Sequence, residues 1–187
     1  MADADAVQTL GEVERLRERT RYAVEWGWIP FLIFGGLVLL SFPFALIDDG
    51  PALGVYWLFA GPAGVLATLY AVRSLEMRTG VFERNEYLYA AVIAAMVAGA
   101  IVVGWTAEGI GSEVGHTFPI GAGLLAIAAI DRSALVAWTG ASIIGLGAAL
   151  LLAEPANAKA WVALGEGAIL IAAGLTVRRS YRAGEAG

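Results

Sequence analysis

Glu166 is the residue most able to do chemistry in this chain. It sits in Gly165-Glu166-Gly167, roughly midway between Pro155 and Arg178, within an apolar stretch long enough to cross a bilayer. Placing a carboxylate deep in lipid costs at least about 2.5 kcal/mol on insertion scales, and such residues face a bundle interior or a cavity. Three roles suit it: a proton-coupling carboxylate, a cation site, or a hydrogen-bonding group for a ligand. A purely structural role competes with these, in which a protonated Glu166 donates to a backbone carbonyl. Pro62 frees such a carbonyl at Leu58, because proline has no N–H to offer it and kinks its helix. No Lys or Arg stands at the depth of Glu166. Glu166, Pro62, Gly165 and Gly167 therefore form the candidate ligand-binding or proton-coupling set.

Glu113 and His116 are spaced to share one helix face. With Glu108, Asp48 or Asp49 they could form an outer cation site, but two ligands do not specify a metal, and a solvated acidic loop is the simpler expectation. Asp131 belongs with Arg132 in a turn, and Glu25 caps or pairs near the start of the first span. No metal and no cofactor is expected. The chain has no cysteine, which excludes disulfides, thiolate metal sites and cysteine nucleophiles, and its single histidine excludes bis-histidine haem ligation. Gly140-Ala141-Ser142-Ile143 lacks the last glycine of a GxSG motif, and His116 falls at the other end of the membrane. There is no Walker A motif, no G-x-G-x-x-G before a helix and no lysine within a span of the kind that holds retinal. Asp48-Asp49-Gly50 stands alone, without the second aspartate motif of phosphoalcohol transferases. An enzyme is not expected, nor is direct binding to nucleic acid.

The elements that position these residues are membrane spans. Hydrophobic residues make up 59% of the chain and charged residues 16%, against the charged quarter that a soluble surface needs. The charges cluster and leave apolar runs that match a hydrocarbon core of roughly 30 Å. Six spans are predicted: about 26–47, 52–72, 87–106, 117–130, 134–152 and 155–177. The fourth is short unless it reaches back through His116 and Glu113. Residues 1–22 alternate Glu and Arg and predict a charged cytosolic or interfacial helix. They are too charged, and the apolar run after them too long, for a signal peptide. The spans occupy 23–178, and 179–187 is expected to be a cytosolic tail. The fold class is an all-α polytopic transmembrane helix bundle.

Eleven of the twelve basic residues fall before span one, between spans two and three, between four and five, or after six; Lys159 alone falls on the other side. That bias predicts a multi-pass protein of a prokaryotic plasma membrane, with N- and C-termini cytoplasmic. The arginines also suit anionic lipid headgroups. The even spans look alike: Ala63-Gly64-Val65-Leu66-Ala67 and Arg73-Ser74 in the second match Ala122-Gly123-Leu124-Leu125-Ala126 and Arg132-Ser133 in the fourth, with a looser Gly167-Ala168-Ile169-Leu170-Ile171 in the sixth. This suggests three repeated helical hairpins.

Trp28-Ile29-Pro30, Phe42-Pro43-Phe44, Tyr56-Trp57 and Arg78-Thr79-Gly80, in this order, resemble a family of uncharacterised actinobacterial membrane proteins. The resemblance covers most of residues 26–152. It implies about six helices and a cytosolic partner, since that family is often encoded beside a winged-helix transcriptional regulator; it assigns no site residues. Size and span count are also similar to the substrate-binding subunits of energy-coupling-factor vitamin transporters, but the first span lacks their Ala-x-x-x-Ala motif. The expected function is a non-enzymatic membrane protein binding a small or lipid-soluble ligand, a cytosolic regulator or a second copy of itself. The alternative is a small transporter, or transporter subunit, with Glu166 as the coupling carboxylate.

Overall fold

The computed structural model describes residues 27–47, 52–79 and 86–185; the charged helix predicted over 1–22 lies outside them. Among the described residues there are helices and no strand: α1 (Trp28–Leu40), α2 (Phe42–Ala45), α3 (Ala52–Thr79), α4 (Glu86–Thr106), α5 (Ile110–Val114), α6 (Thr117–Asp131), α7 (Ala134–Ala153) and α8 (Ala158–Glu185). They make six helical runs long and apolar enough to cross a membrane. Their exposed surface carries Leu58, Phe59, Leu66, Trp138 and Leu152, a covering that belongs in lipid rather than water.

The first span is α1 plus α2, broken at Ser41. Its amide bonds the carbonyls of Leu37 and Val38, and its hydroxyl donates to Val38 O at 2.7 Å. Pro43 restarts the chain in the first turn of α2, where no amide donor is needed. The fourth span does reach back through His116, as α5 plus α6, running Ile110–Asp131. Two ends differ from the sequence reading. The second span continues as helix to Thr79, past the expected end near Val72, and α8 runs on to Glu185 where a tail was expected. In both places Arg, Ser and Glu are adequate helix residues outside the apolar run, so hydropathy falls while the backbone ladder continues. The turn between α6 and α7 forms at Asp131-Arg132-Ser133: Arg132 is left-handed at φ 53° and Ser133 Oγ accepts from Val136 N. Tyr89 of α4 donates to Asp131 there.

The spans pack in the order two, one, six, five, four, three. Consecutive spans pair as hairpins, as a hairpin repeat requires. The hairpins join through span one on six and span five on four, each time an odd span on an even one. The equivalent junction, three on two, is not among the principal packings of the described residues.

Glycines set the closest approaches, as expected where lipid provides no hydrophobic drive between helices. Gly121 and Gly140 bring α6 and α7 together so tightly that a Cβ on either would lie 2.7 Å from the other's carbonyl oxygen. Gly35 of α1 meets the backbone and side chain of Ile171, and Gly167 of α8 meets Leu39. Gly54 and Gly61 of α3 face open space. Gly167→Ala places a methyl 3.0 Å from Leu39 N, an overpacking expected to cost about 1–3 kcal/mol. Gly54→Ala and Gly61→Ala should leave stability unchanged or slightly raised, by up to about 1 kcal/mol from helix propensity. Thermal unfolding in detergent checks this contrast.

Candidate functional site

Three buried hydroxyls of the spans are satisfied at home, whereas Thr68 Oγ1 of span two is buried without a partner among the described residues. Ser41, Thr117 and Thr139 each bond a carbonyl of their own span, to Val38, Val114 and Leu135, as a medium without water demands. Among the described residues two charged side chains are buried, Glu76 and Glu166. Glu76 also finds its partner on its own helix, Arg73 Nη1 at 3.1 Å. Glu166 does not: its carboxylate meets His116 of another span, Nε2 to Oε2 at 3.7 Å.

Each element has a reason to put these groups together. Glu166 lies eight residues into α8, about 12 Å along the helix from its first residue. Within the apolar run Ala158–Ser180 it stands in the half nearer Lys159. Gly165 and Gly167 flank it and admit Leu146 of α7 on one side and Leu39 of α1 on the other. The two glycines act as packing residues that draw the walls in until the Glu166 side chain is only 3% exposed. His116 lies at the junction of α5 and α6. Beside it, Thr117 is fully buried and its hydroxyl fits where Gly147 of α7 has no side chain. The imidazole is 34% exposed, so the pair has one sealed member and one partly covered member.

A second ion pair lies beside the first. Lys159 Nζ stands 3.5 Å from Glu113 Oε1. Spans four and six run parallel, so Glu113 precedes His116 just as Lys159 precedes Glu166. Glu113 and His116 do share a face, and both turn it to α8. Where a solvated acidic loop was the simpler expectation, Glu113 and His116 enter two cross-span pairs, and no metal-holding cluster occurs among the described residues. An apolar seat adjoins them: Val114 and Ile110 of α5 pack on Ala158 and Val162 of α8 and on Leu150 and Leu151 of α7. Lifting Val114 into water costs about 1.5–3 kcal/mol, while a half-exposed ion pair such as Glu113–Lys159 contributes about 0–1 kcal/mol. The seat outweighs the ion pair.

Pro62 does not join this site. It is exposed on α3, whose packing partner is span one, and Leu58 faces outward, so its freed carbonyl is not what Glu166 meets. An apolar groove of about 680 Å³ lies elsewhere, between Phe44 of α2 and Tyr56, Phe59 and Ala63 of α3. Tyr56 donates to Leu37 O across it at 2.6 Å. Sequence reasoning missed His116 as the partner of Glu166, and Lys159 as anything but a topology marker. Their rarity was the available signal, because the chain has one histidine and one lysine.

No family model, no curated protein and no solved structure matches this chain. The site stands on its geometry alone, as a buried acid–base pair bridging two spans of a multi-pass membrane protein.

Removing one member of a buried pair strands the other. His116→Ala should therefore destabilise the protein more in the wild-type background than alongside Glu166→Gln. The expected coupling is on the order of 1 kcal/mol, read from a double-mutant cycle of detergent unfolding.

Proposed function

We propose that this chain is a non-enzymatic, proton-handling membrane protein, a small transporter or transporter subunit in which His116 and Glu166 form the coupling pair. The supporting observation is the imidazole held 3.7 Å from a sealed carboxylate contributed by a different span. Such a pair holds one exchangeable proton with no net charge, whether as imidazolium and carboxylate or as imidazole and carboxylic acid. Moving that proton between the two leaves the bilayer interior neutral. Gaining or losing a proton creates net charge between packed helices, which links protonation to the packing of spans four and six. Intramembrane carboxylates and histidines in packed bundles commonly serve as proton relays. Glu113 and Lys159 are the other titratable groups facing the pair from these elements. The arginine bias supports a plasma-membrane placement with both termini cytoplasmic, and the pair then lies towards the outer surface.

A second reading, binding of a lipid-soluble ligand, is favoured by the groove at Phe44, Tyr56 and Phe59. A cytosolic regulator or a second copy would then receive its signal.

Infrared difference spectra between acidic and alkaline buffer test the leading reading directly. A carboxylic-acid carbonyl band that titrates in the wild type should vanish in Glu166→Gln and shift in His116→Gln. Proton uptake into dye-loaded proteoliposomes should fall at least about tenfold with loss of such a relay. An unchanged spectrum and unchanged uptake in Glu166→Gln would sink the idea.

A further inference from the structure

We propose that α5 is a gate over the His116–Glu166 pair, seated by Val114 and latched by Glu113–Lys159, and that its lifting opens the pair to water at the acidic end of the bundle. This inference rests on the proton-handling reading and adds the route of access.

The segment is built to move as a unit. It is a single helical turn between two glycines. Gly109 starts it at φ 57°, ψ −138°, a conformation closed to residues with a side chain. Gly115 ends it where a Cβ would lie 2.4 Å from both Gly111 O and Val103 Cγ1. Its own hydrogen bonds are local: Ser112 N and Oγ to Gly109 O, and Gly115 N to Gly111 O. It is held from outside by three features already described: the fully buried Val114 against Ala158 and Val162, Glu113 against Lys159, and the Thr117 hydroxyl of α6 donating to Val114 O at 2.8 Å. His116 follows Gly115 directly, so a rotation of α5 about that glycine would bare more of the imidazole, 34% exposed at rest, and then Glu166 beside it. The only lysine of the chain is thus spent on holding the cover of its only histidine.

The lone histidine makes the test clean. Diethylpyrocarbonate modification of His116, followed by absorbance of the carbethoxylated ring in purified protein in nanodiscs, reads its accessibility without any flux assay. Wild-type protein should react more slowly than free N-acetylhistidine. Lys159→Gln should speed the reaction about twofold to fivefold, as befits a half-exposed ion pair. Val114→Ala should speed it on the order of tenfold. The exchanged pair Glu113→Lys with Lys159→Glu should restore the slow rate. Hydrogen–deuterium exchange of the wild-type chain guards against misfolded variants: residues 110–116 should exchange faster than 117–131 and 158–170. A wild-type rate equal to that of free histidine, or rates unmoved by all these variants together with uniform exchange protection, would overturn the gate. Neither result touches the infrared band of Glu166, on which the proton-handling reading stands or falls by itself.

Discussion

A carboxylate inside lipid has to meet a partner, and Glu166 cannot find one on its own helix. Ser41, Thr117 and Thr139 reach a carbonyl of the preceding turn, and Glu76 reaches Arg73 within its own helix. Glu166 is met instead by His116, which fixes spans four and six relative to each other although span five stands between them in the packing order. The close glycine contacts fit around that constraint. Gly165 and Gly167 bring spans five and one against the flanks of the carboxylate, while Gly147 makes room for Thr117 next to the imidazole. Four of the six spans are thereby committed to one corner of the bundle.

That corner combines two kinds of interaction with different strengths and roles. The apolar seat of α5 supplies most of the closure, because burying one valine outweighs a half-exposed ion pair. Glu113–Lys159 contributes less energy but more discrimination, because it opposes like with unlike charge and sets which face of α5 turns to α8. The inner pair sits where water is scarce and charges interact strongly. A modest external change at α5 can therefore alter conditions at Glu166 out of proportion to its own energy.

Much of the fold was legible in the sequence. Six apolar runs separated by charge, and arginines gathered at one end, announce a polytopic bundle without reference to side-chain contacts. The Asp131-Arg132-Ser133 turn was legible because charge interrupts the apolar run and a serine precedes the next helix; the left-handed backbone of Arg132 was not. Glu166 was legible as a costly residue. Its partner was not, because no local rule says that span six neighbours span one and faces the start of span four. Depth along a helix can be counted, but neighbourhood around a bundle cannot. The same limit explains Pro62: its kink is a local property, while its exposure depends on which face α3 turns to span one. The glycines beside Glu166 read equally well as site or as packing, and only Leu146 and Leu39 on either side decide for packing.

The packing order has a consequence for biosynthesis. Span one emerges from the ribosome well before its principal partner, span six, where Gly35 waits for Ile171 and Leu39 for Gly167. Hairpins three–four and five–six can pair as they are made, but span one keeps its most extensive interface unfilled until α8 has been inserted. Glu166 enters the bilayer on that same helix, after His116 has been made. Completion of the bundle and neutralisation of its buried carboxylate are thus a single late event. A nascent chain stalled before α8 exposes the glycine-lined surface of span one to the membrane, the kind of unfinished surface that quality-control proteases and insertion chaperones can recognise.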